Sequence, residues 1–286
     1  MKISESLTYI ILIFIKKWMS SLSAYGRYRL SIWLASYIYH YTPTRKEIAF
    51  NNIKKAFPEW NNDKINHHIQ ITYQFFTHNM IQFFSVPKSW HGIEIEIIGS
   101  NILDEAMKNK KGCILVSAHF GAWELFVKWV GQTGYDAIGI AQRQKNKGAN
   151  QFFKEQRELC NVEHIFRKES IDKMESVLNS NKILGLVSDQ DARNRGIFVD
   201  FFGHPASTHK GAALFHKNTN APLVFGVCLK TGYQKYRVEI ISIKPKSNSI
   251  KDITQAFTSI IEAKVREYPE QYFWFHRRWK TKQIIQ

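Results

Sequence analysis

Apolar and polar positions divide the chain into two textures. Up to Phe84 the apolar residues recur at helical spacing, whereas beyond Pro87 short apolar runs alternate with amphipathic stretches. Leu7–Ile15 (LTYIILIFI) is a largely apolar run, well short of the ~20 residues that cross a bilayer. It reaches further if it continues through Lys16–Ala24 with both lysines snorkelling. Leu30, Trp33, Leu34, Tyr37, Ile38 and Tyr41 then form a Trp- and Tyr-rich stripe of the kind that settles at the headgroup level. Such a stripe also suits a core. The adjacent apolar run and the surrounding Lys16, Lys17, Arg27, Arg29, Arg45 and Lys46 favour a membrane surface. Lys16 and Lys17 separate the run from the small-residue triplet Ser21–Leu22–Ser23, so a cleaved signal peptide is not expected. Residues 1–42 are thus read as a retained, membrane-associated helical segment.

Residues 44–58 (TRKEIAFNNIKKAFP) predict a helix capped by Thr44, with Glu47 as capping-box partner and Pro58 as the stop. A second helix is expected over Asp63–Phe84. Ile93–Ile98 alternates with glutamates, and a helix over 101–110 leads into Cys113–Ala118, which has the length and β-branched content of a buried strand. Further strands are expected at Ala137–Ala141, Ile183–Ser188 and Leu223–Leu229, separated by helices near 147–161, 170–180 and 209–219. Tyr236–Ile243 would add an edge strand and 251–267 a closing helix. This alternation predicts an α/β fold over 43–286, with a mostly parallel central sheet flanked by helices.

Composition narrows the partners. With 44% apolar and 14% aromatic residues the chain can bury a sizeable core, which excludes disorder for its bulk. A net charge of +16 calls for an acidic partner. No nucleic-acid-binding module, Gly-rich phosphate loop or compact basic helix is visible, so nucleic acid is not expected to be that partner. Cys113, Cys160 and Cys228 are odd in number and lie in or beside apolar runs, as core thiols of a reducing compartment do. His164, His204, His209 and His216 lack the spacing of a metal site, which argues against a metal hydrolase.

The densest chemistry is SAHFGAWELF, Ser117–Phe126, where a strand should end and a helix begin. Ligands bind at such strand ends in open α/β sheets. On one helix His119 and Glu124 would stand about 140° apart, so they share a crevice only if His119 precedes the helix, with Gly121 easing the turn. Glu124 can then accept the ring N–H and leave His119 as a general base for a hydroxyl attacking an acyl carbonyl. Backbone amides at the helix start after Gly121 are candidate oxyanion donors. Arg143 follows a strand on the same sheet edge, either as an anion-binding guanidinium or as a surface ion pair. Asp189 and Gln190 follow another strand, where Asp189 either orients His119 or binds substrate, or the segment is a solvated charged loop. Phe198, Phe201 and Phe202 line an acyl-chain groove or belong to the core. His276 is expected to be structural.

HFGAWE at 119–124 resembles the H-x4-D/E motif of glycerolipid acyltransferases, in particular the bacterial lipid A late acyltransferases. The resemblance extends to RKEIAFNNIKKAFPEW at 45–60, AQRQKN at 141–146, LVSDQDARNRGIFVDFFGHPAST at 186–208 and YPEQYFWFHRRWK at 268–280, in family order over nearly the whole chain. It implies transfer of a fatty acyl chain from acyl-acyl carrier protein, as co-substrate, to a hydroxyl of a phosphorylated lipid A precursor. It further implies an inner-membrane enzyme facing the cytoplasm, without metal or organic cofactor, whose catalytic pair falls on His119 and Glu124. Arg143, Asn146, Asp189, Gln190, Phe201 and Phe202 are the candidate substrate contacts. Another membrane lipid as acceptor, or acyl-CoA as donor, remains an alternative.

Overall fold

A computed structural model describes residues 2–167 and 169–283. Four helices come first: α1 (Ile3–Ser21), α2 (Ala24–Tyr41), α3 (Pro43–Ala56) and α4 (Asn62–Phe84). The alternating part follows as β1 (Glu94–Ile98), α5 (Ser100–Lys108), β2 (Cys113–Ser117), α6 (Trp123–Val130), β3 (Ala137–Ala141), α7 (Lys147–Glu158), β4 (Glu163–Phe166), α8 (Ile171–Asn179) and β5 (Ile183–Val187). It continues with β6 (Ile197–Phe201), β7 (His204–Thr208), α9 (Gly211–Thr219), β8 (Leu223–Gly232), β9 (Lys235–Ser242) and α10 (Ile250–Glu267).

Among the described residues seven strands form one sheet in the order β1-β9-β8-β2-β5-β3-β4, parallel except where β8 and β9 meet as a hairpin. The expected α/β class with a mostly parallel sheet is therefore present. Its strands read as apolar runs because both faces are covered. On β2, Ile114 and Val116 face the larger core with α3, α4, α8, α9 and α10. Cys113 and Leu115 face the smaller core with α5 and α6. All three cysteines are buried free thiols.

Several expectations are corrected. The β9 strand is not at the edge, because β1 pairs beyond it through Glu94 to Ile98. Helix α3 starts at Pro43, with Thr42 rather than Thr44 at the cap position. Proline suits the first helical position because its missing N–H would be unpaired there anyway. The β6–β7 hairpin was not anticipated. Its two-residue turn uses Phe202 (φ 57°) and Gly203 (φ 73°), the positive φ pair of a tight hairpin. Phenylalanine rarely takes that conformation, and here burial of its ring against Phe57 and Trp274 holds it.

No helix among the described residues is long and apolar enough to cross a membrane. Helix α1 lies along α7 instead: Tyr9 donates to Glu155 (2.8 Å), Asn146 donates to Thr8 (3.2 Å) and Lys16 reaches Gln156. The opposite side of α1 exposes Ile3, Leu7, Ile10, Ile11, Phe14 and Trp18. Helix α2 packs its Arg27, Ser31 and Ala35 side inward and leaves Trp33, Tyr37 and Tyr41 exposed. The aromatic stripe read from the sequence thus divides, with Ile38 joining the core and the three larger rings facing out.

The contact between α1 and α7 depends on Gly148, where an added Cβ would lie 1.9 Å from the Glu5 carbonyl oxygen. Gly148→Val should force the two helices apart at about 1–3 kcal/mol, the usual cost of overpacking. Hydrogen exchange would then quicken over 3–21 with the sheet unchanged. Unaltered protection of α1 would contradict the packing.

Candidate active site

The turn between β2 and α6 holds His119 ahead of the helix and Glu124 in its first turn, as the spacing requires. Gly121 makes the turn with φ +67°, and a Cβ there would stand 2.2 Å from the Cys228 carbonyl oxygen, so no larger residue fits. The C-terminal segment holds the turn from outside. Phe273 N–H donates to the His119 carbonyl (3.0 Å), and Gly121 N–H donates to that of Gln271 (2.9 Å). That segment is itself fixed by α3: Asn52 donates to the carbonyls of Trp274 (2.7 Å) and His276 (2.6 Å), and Arg45 to that of Phe275 (3.0 Å). Segments 45–60 and 268–280, distant in sequence, therefore act together on one histidine.

The ring of His119 is aimed by Asp189. Its Nδ1 lies 2.8 Å from Asp189 Oδ1, and the same oxygen accepts the His119 backbone N–H at 3.0 Å. Glu124 does not take the ring N–H as expected. Its carboxylate pairs with Arg157 at 3.5 Å, although it borders the same crevice. Gln190 Nε2 approaches His119 Nε2 at 3.5 Å, the outer limit of a hydrogen bond. Trp123 and Phe273 flank the ring at centroid distances of 5.7 and 6.2 Å. A third of the His119 side chain is exposed against 3% of Asp189, so the imidazole faces the crevice while its carboxylate is sealed behind it.

Electrostatics separate His119 from the other enclosed histidines. Burial, with nearby arginines, pushes His164 and His209 down to about 4, and burial with Lys230 and Arg27 pushes His78 down to about 3. Burial opposes protonation of His119 as well, but the Asp189 charge and hydrogen bond outweigh it, Glu124 adds to them, and the pKa rises. Burial also disfavours ionised Asp189, yet His119 and Arg278 hold its carboxyl below the usual range. Tyr272, buried beside this pair, is raised well above the ordinary phenol by burial and then by the Asp189 charge.

Two cavities, of about 690 and 350 Å³, both reach His119, Trp123, Glu124 and Gln190. The larger is lined by apolar side chains from both faces of the sheet, Val130 on one and Ile138, Leu186 and Phe215 on the other. It falls in the range of ordinary ligand sites. Its arginines are Arg157 and Arg167, whereas Arg143 lies exposed over the Phe166 ring at 4.4 Å. Asn146 caps α7, accepting the Ala149 N–H at 2.9 Å. Phe201 and Phe202 are corrected: both are buried core residues, packed against Trp279 and against Phe57 and Trp274, and neither lines either of these two cavities. His276 is structural, its Nε2 accepting the Asp191 N–H at 3.0 Å. The amides of Gly121 and Ala122 are likewise occupied, by the carbonyls of Gln271 and Cys228, which leaves those of Trp123 and Glu124 at the start of α6. No group of three or more potential metal-ligating side chains occurs among the described residues.

Reading residue by residue missed Tyr272, Phe273 and Arg278. Arg278 is buried and donates to the Ser207 carbonyl at 2.8 Å. Their only trace in the sequence was the aromatic-basic texture of 268–280.

Residues 2–281 match the family described as bacterial lipid A biosynthesis acyltransferase. The chain belongs to that family. Similar curated proteins include the lipid A biosynthesis lauroyltransferase of Escherichia coli, 23% identical over 89% of this chain and 85% of that protein. The E. coli lipid A biosynthesis palmitoleoyltransferase is 22% identical over 84% of this chain and 80% of its own. A phosphatidylinositol mannoside acyltransferase of Mycobacterium tuberculosis is 24% identical over 63% of this chain, which spans 58% of that protein's length.

A base must be unprotonated, so a catalytic role for His119 predicts activity that rises with pH through its raised pKa, above the ordinary histidine value of 6.5. Asp189→Asn removes the charge that raises it, so the limb in kcat/KM should move to lower pH and its plateau should fall. An unmoved limb would show that Asp189 does not set the base.

Proposed function

We propose that the protein is a membrane-associated O-acyltransferase that moves a fatty acyl chain from acyl-acyl carrier protein to a hydroxyl of a lipid A precursor. The observation that carries this reading is His119, bound at Nδ1 by a buried carboxylate and lining a largely apolar cavity. The cavity suits an acyl chain, each buried methylene contributing about 0.8 kcal/mol. Family membership and the lauroyl and palmitoleoyl relatives support acyl transfer to lipid A.

In the proposed reaction His119 Nε2 takes the proton of the acceptor hydroxyl as its oxygen attacks the thioester carbonyl. Asp189 stays ionised and stabilises the imidazolium. The amides of Trp123 and Glu124 are the proposed donors to the oxyanion. Collapse breaks the C–S bond, the thiolate takes the proton from His119, and an ester and a free thiol result. Glu124 retains a place in the site as a second negative charge favouring the imidazolium. Arg157 and Arg167 are proposed to meet phosphate at the cavity, with Arg143 outside it. The chemistry needs no metal or organic cofactor.

The exposed faces of α1 and α2, with Ile3, Leu7, Phe14, Trp18, Trp33 and Tyr37, are proposed to rest in the cytoplasmic face of the bacterial inner membrane, aided by the +16 charge. A second reading keeps the chemistry and makes the acceptor a glycolipid. The mannoside acyltransferase relatives favour it.

Mass spectrometry of lipids from cells with and without the gene separates these readings. Loss of one secondary acyl chain from lipid A is the expected result, and loss from a glycolipid with lipid A intact would favour the second reading. His119→Ala should lower turnover about 100- to 10,000-fold in a protein that still folds, with a lowered melting temperature because Asp189 loses its ring partner. Ordinary turnover in that variant would refute the base. The purified protein should also sediment with anionic vesicles, and failure to do so would remove the membrane surface from the account.

A further inference from the structure

Some glycines of this chain sit where no side chain would fit. At Gly131, Gly148 and Gly226 an added Cβ would lie 1.7, 1.9 and 2.2 Å from the nearest atom, so close packing demands glycine. Gly139 and Gly185 are different. They pair directly across β3 and β5, in the interior of the sheet. A Cβ would find its nearest neighbour at 3.8 Å on Gly139 and 3.7 Å on Gly185, ordinary contact distances, and neither residue has a positive φ. Glycine weakens a strand interior, and where neither backbone nor packing requires it the usual reason is close approach of something else.

What lies against them is the larger cavity, which both glycines line. Residues paired in register on parallel strands point to one face. The row across the sheet therefore reads His164, Gly139, Gly185, Leu115, a gap of two missing side chains between two present ones. Gly185 stands four residues before Asp189, roughly 13 Å along the strand from the His119 end. Two residues further from that end the same face carries Ala137 and Ile183, which close the wall again.

We infer that the Gly139–Gly185 pair determines which acyl-chain length the enzyme accepts, by leaving bare backbone against the distal part of the bound chain. The inference rests on the reading that the larger cavity holds the donor's acyl chain. A side chain at either position would project into the channel and shorten it without disturbing the fold.

The test compares the full-length wild type with Gly185→Val, Gly139→Val and the milder Gly185→Ala. Donors are octanoyl, decanoyl, lauroyl, myristoyl and palmitoyl thioesters of acyl carrier protein. Thermal stabilisation by the matching free fatty acids gives a readout independent of turnover. The expected result is a shift of the preferred donor to a shorter chain, by roughly tenfold in kcat/KM per excluded methylene. Short donors keep wild-type rates, the fatty-acid profile shifts in parallel, and the unliganded melting temperature is unchanged or higher. Should either valine variant fail to fold, Gly185→Ala carries the same sign of shift. A wild type that discriminates chain length while every folded variant keeps the same profile would overturn the inference alone. A wild type that accepts no acyl donor of any length would overturn it together with the acyltransferase reading.

Discussion

A carboxylate taken out of water and set against one imidazole is the constraint around which this structure is arranged. Burying Asp189 as an anion would cost several kcal/mol if it were left unpaired. The cost is offset by the ring and backbone N–H of His119 and by the neighbouring charge of Arg278. Those partners come from the β2–α6 turn and from the C-terminal segment, which α3 fastens in place through Asn52 and Arg45. Four stretches of chain thus converge on a single pair, and the Nε2 side of the ring faces Gln190 at the cavities.

Placing that pair where two apolar cavities meet has a chemical consequence. His164 and His209, enclosed without a carboxylate hydrogen-bonded to the ring, are pushed toward the neutral form, whereas His119, bonded to Asp189, is made a stronger base. The difference comes from one hydrogen-bonded charge, since burial acts on all of them in the same direction. The apolar walls suit a substrate with a long hydrocarbon part, and Arg157 and Arg167 give the cavity its cationic character.

The alternating part of the chain was legible because strands covered on both faces leave long apolar runs, as Cys113–Ser117 and Ile183–Val187 do. Short or strained elements were not. Strand β4 is only Glu163–Phe166, with too few residues to declare a period, and the β6–β7 turn hides its hairpin behind a phenylalanine at positive φ. In the site, the H-x4-E spacing correctly set His119 before α6, but sequence proximity made Glu124 the natural partner of the ring. The partner that touches it, Asp189, lies seventy residues away on the neighbouring strand, and only the β2–β5 pairing brings it there. Phe201 and Phe202 misled for a related reason: aromatic side chains look alike on a groove and in a core until their neighbours are known.

The tautomer of His119 tests the central claim most directly. Long-range nitrogen–proton NMR of the imidazole, above its pKa, reports which ring nitrogen carries the proton. A buried Asp189 carboxylate at Nδ1 demands a protonated Nδ1 and a bare Nε2, reverting in Asp189→Asn to the mixture of an unrestrained ring. A proton found on Nε2 in the wild type would contradict the account, because the nitrogen facing the cavity would then have no lone pair with which to act as a base.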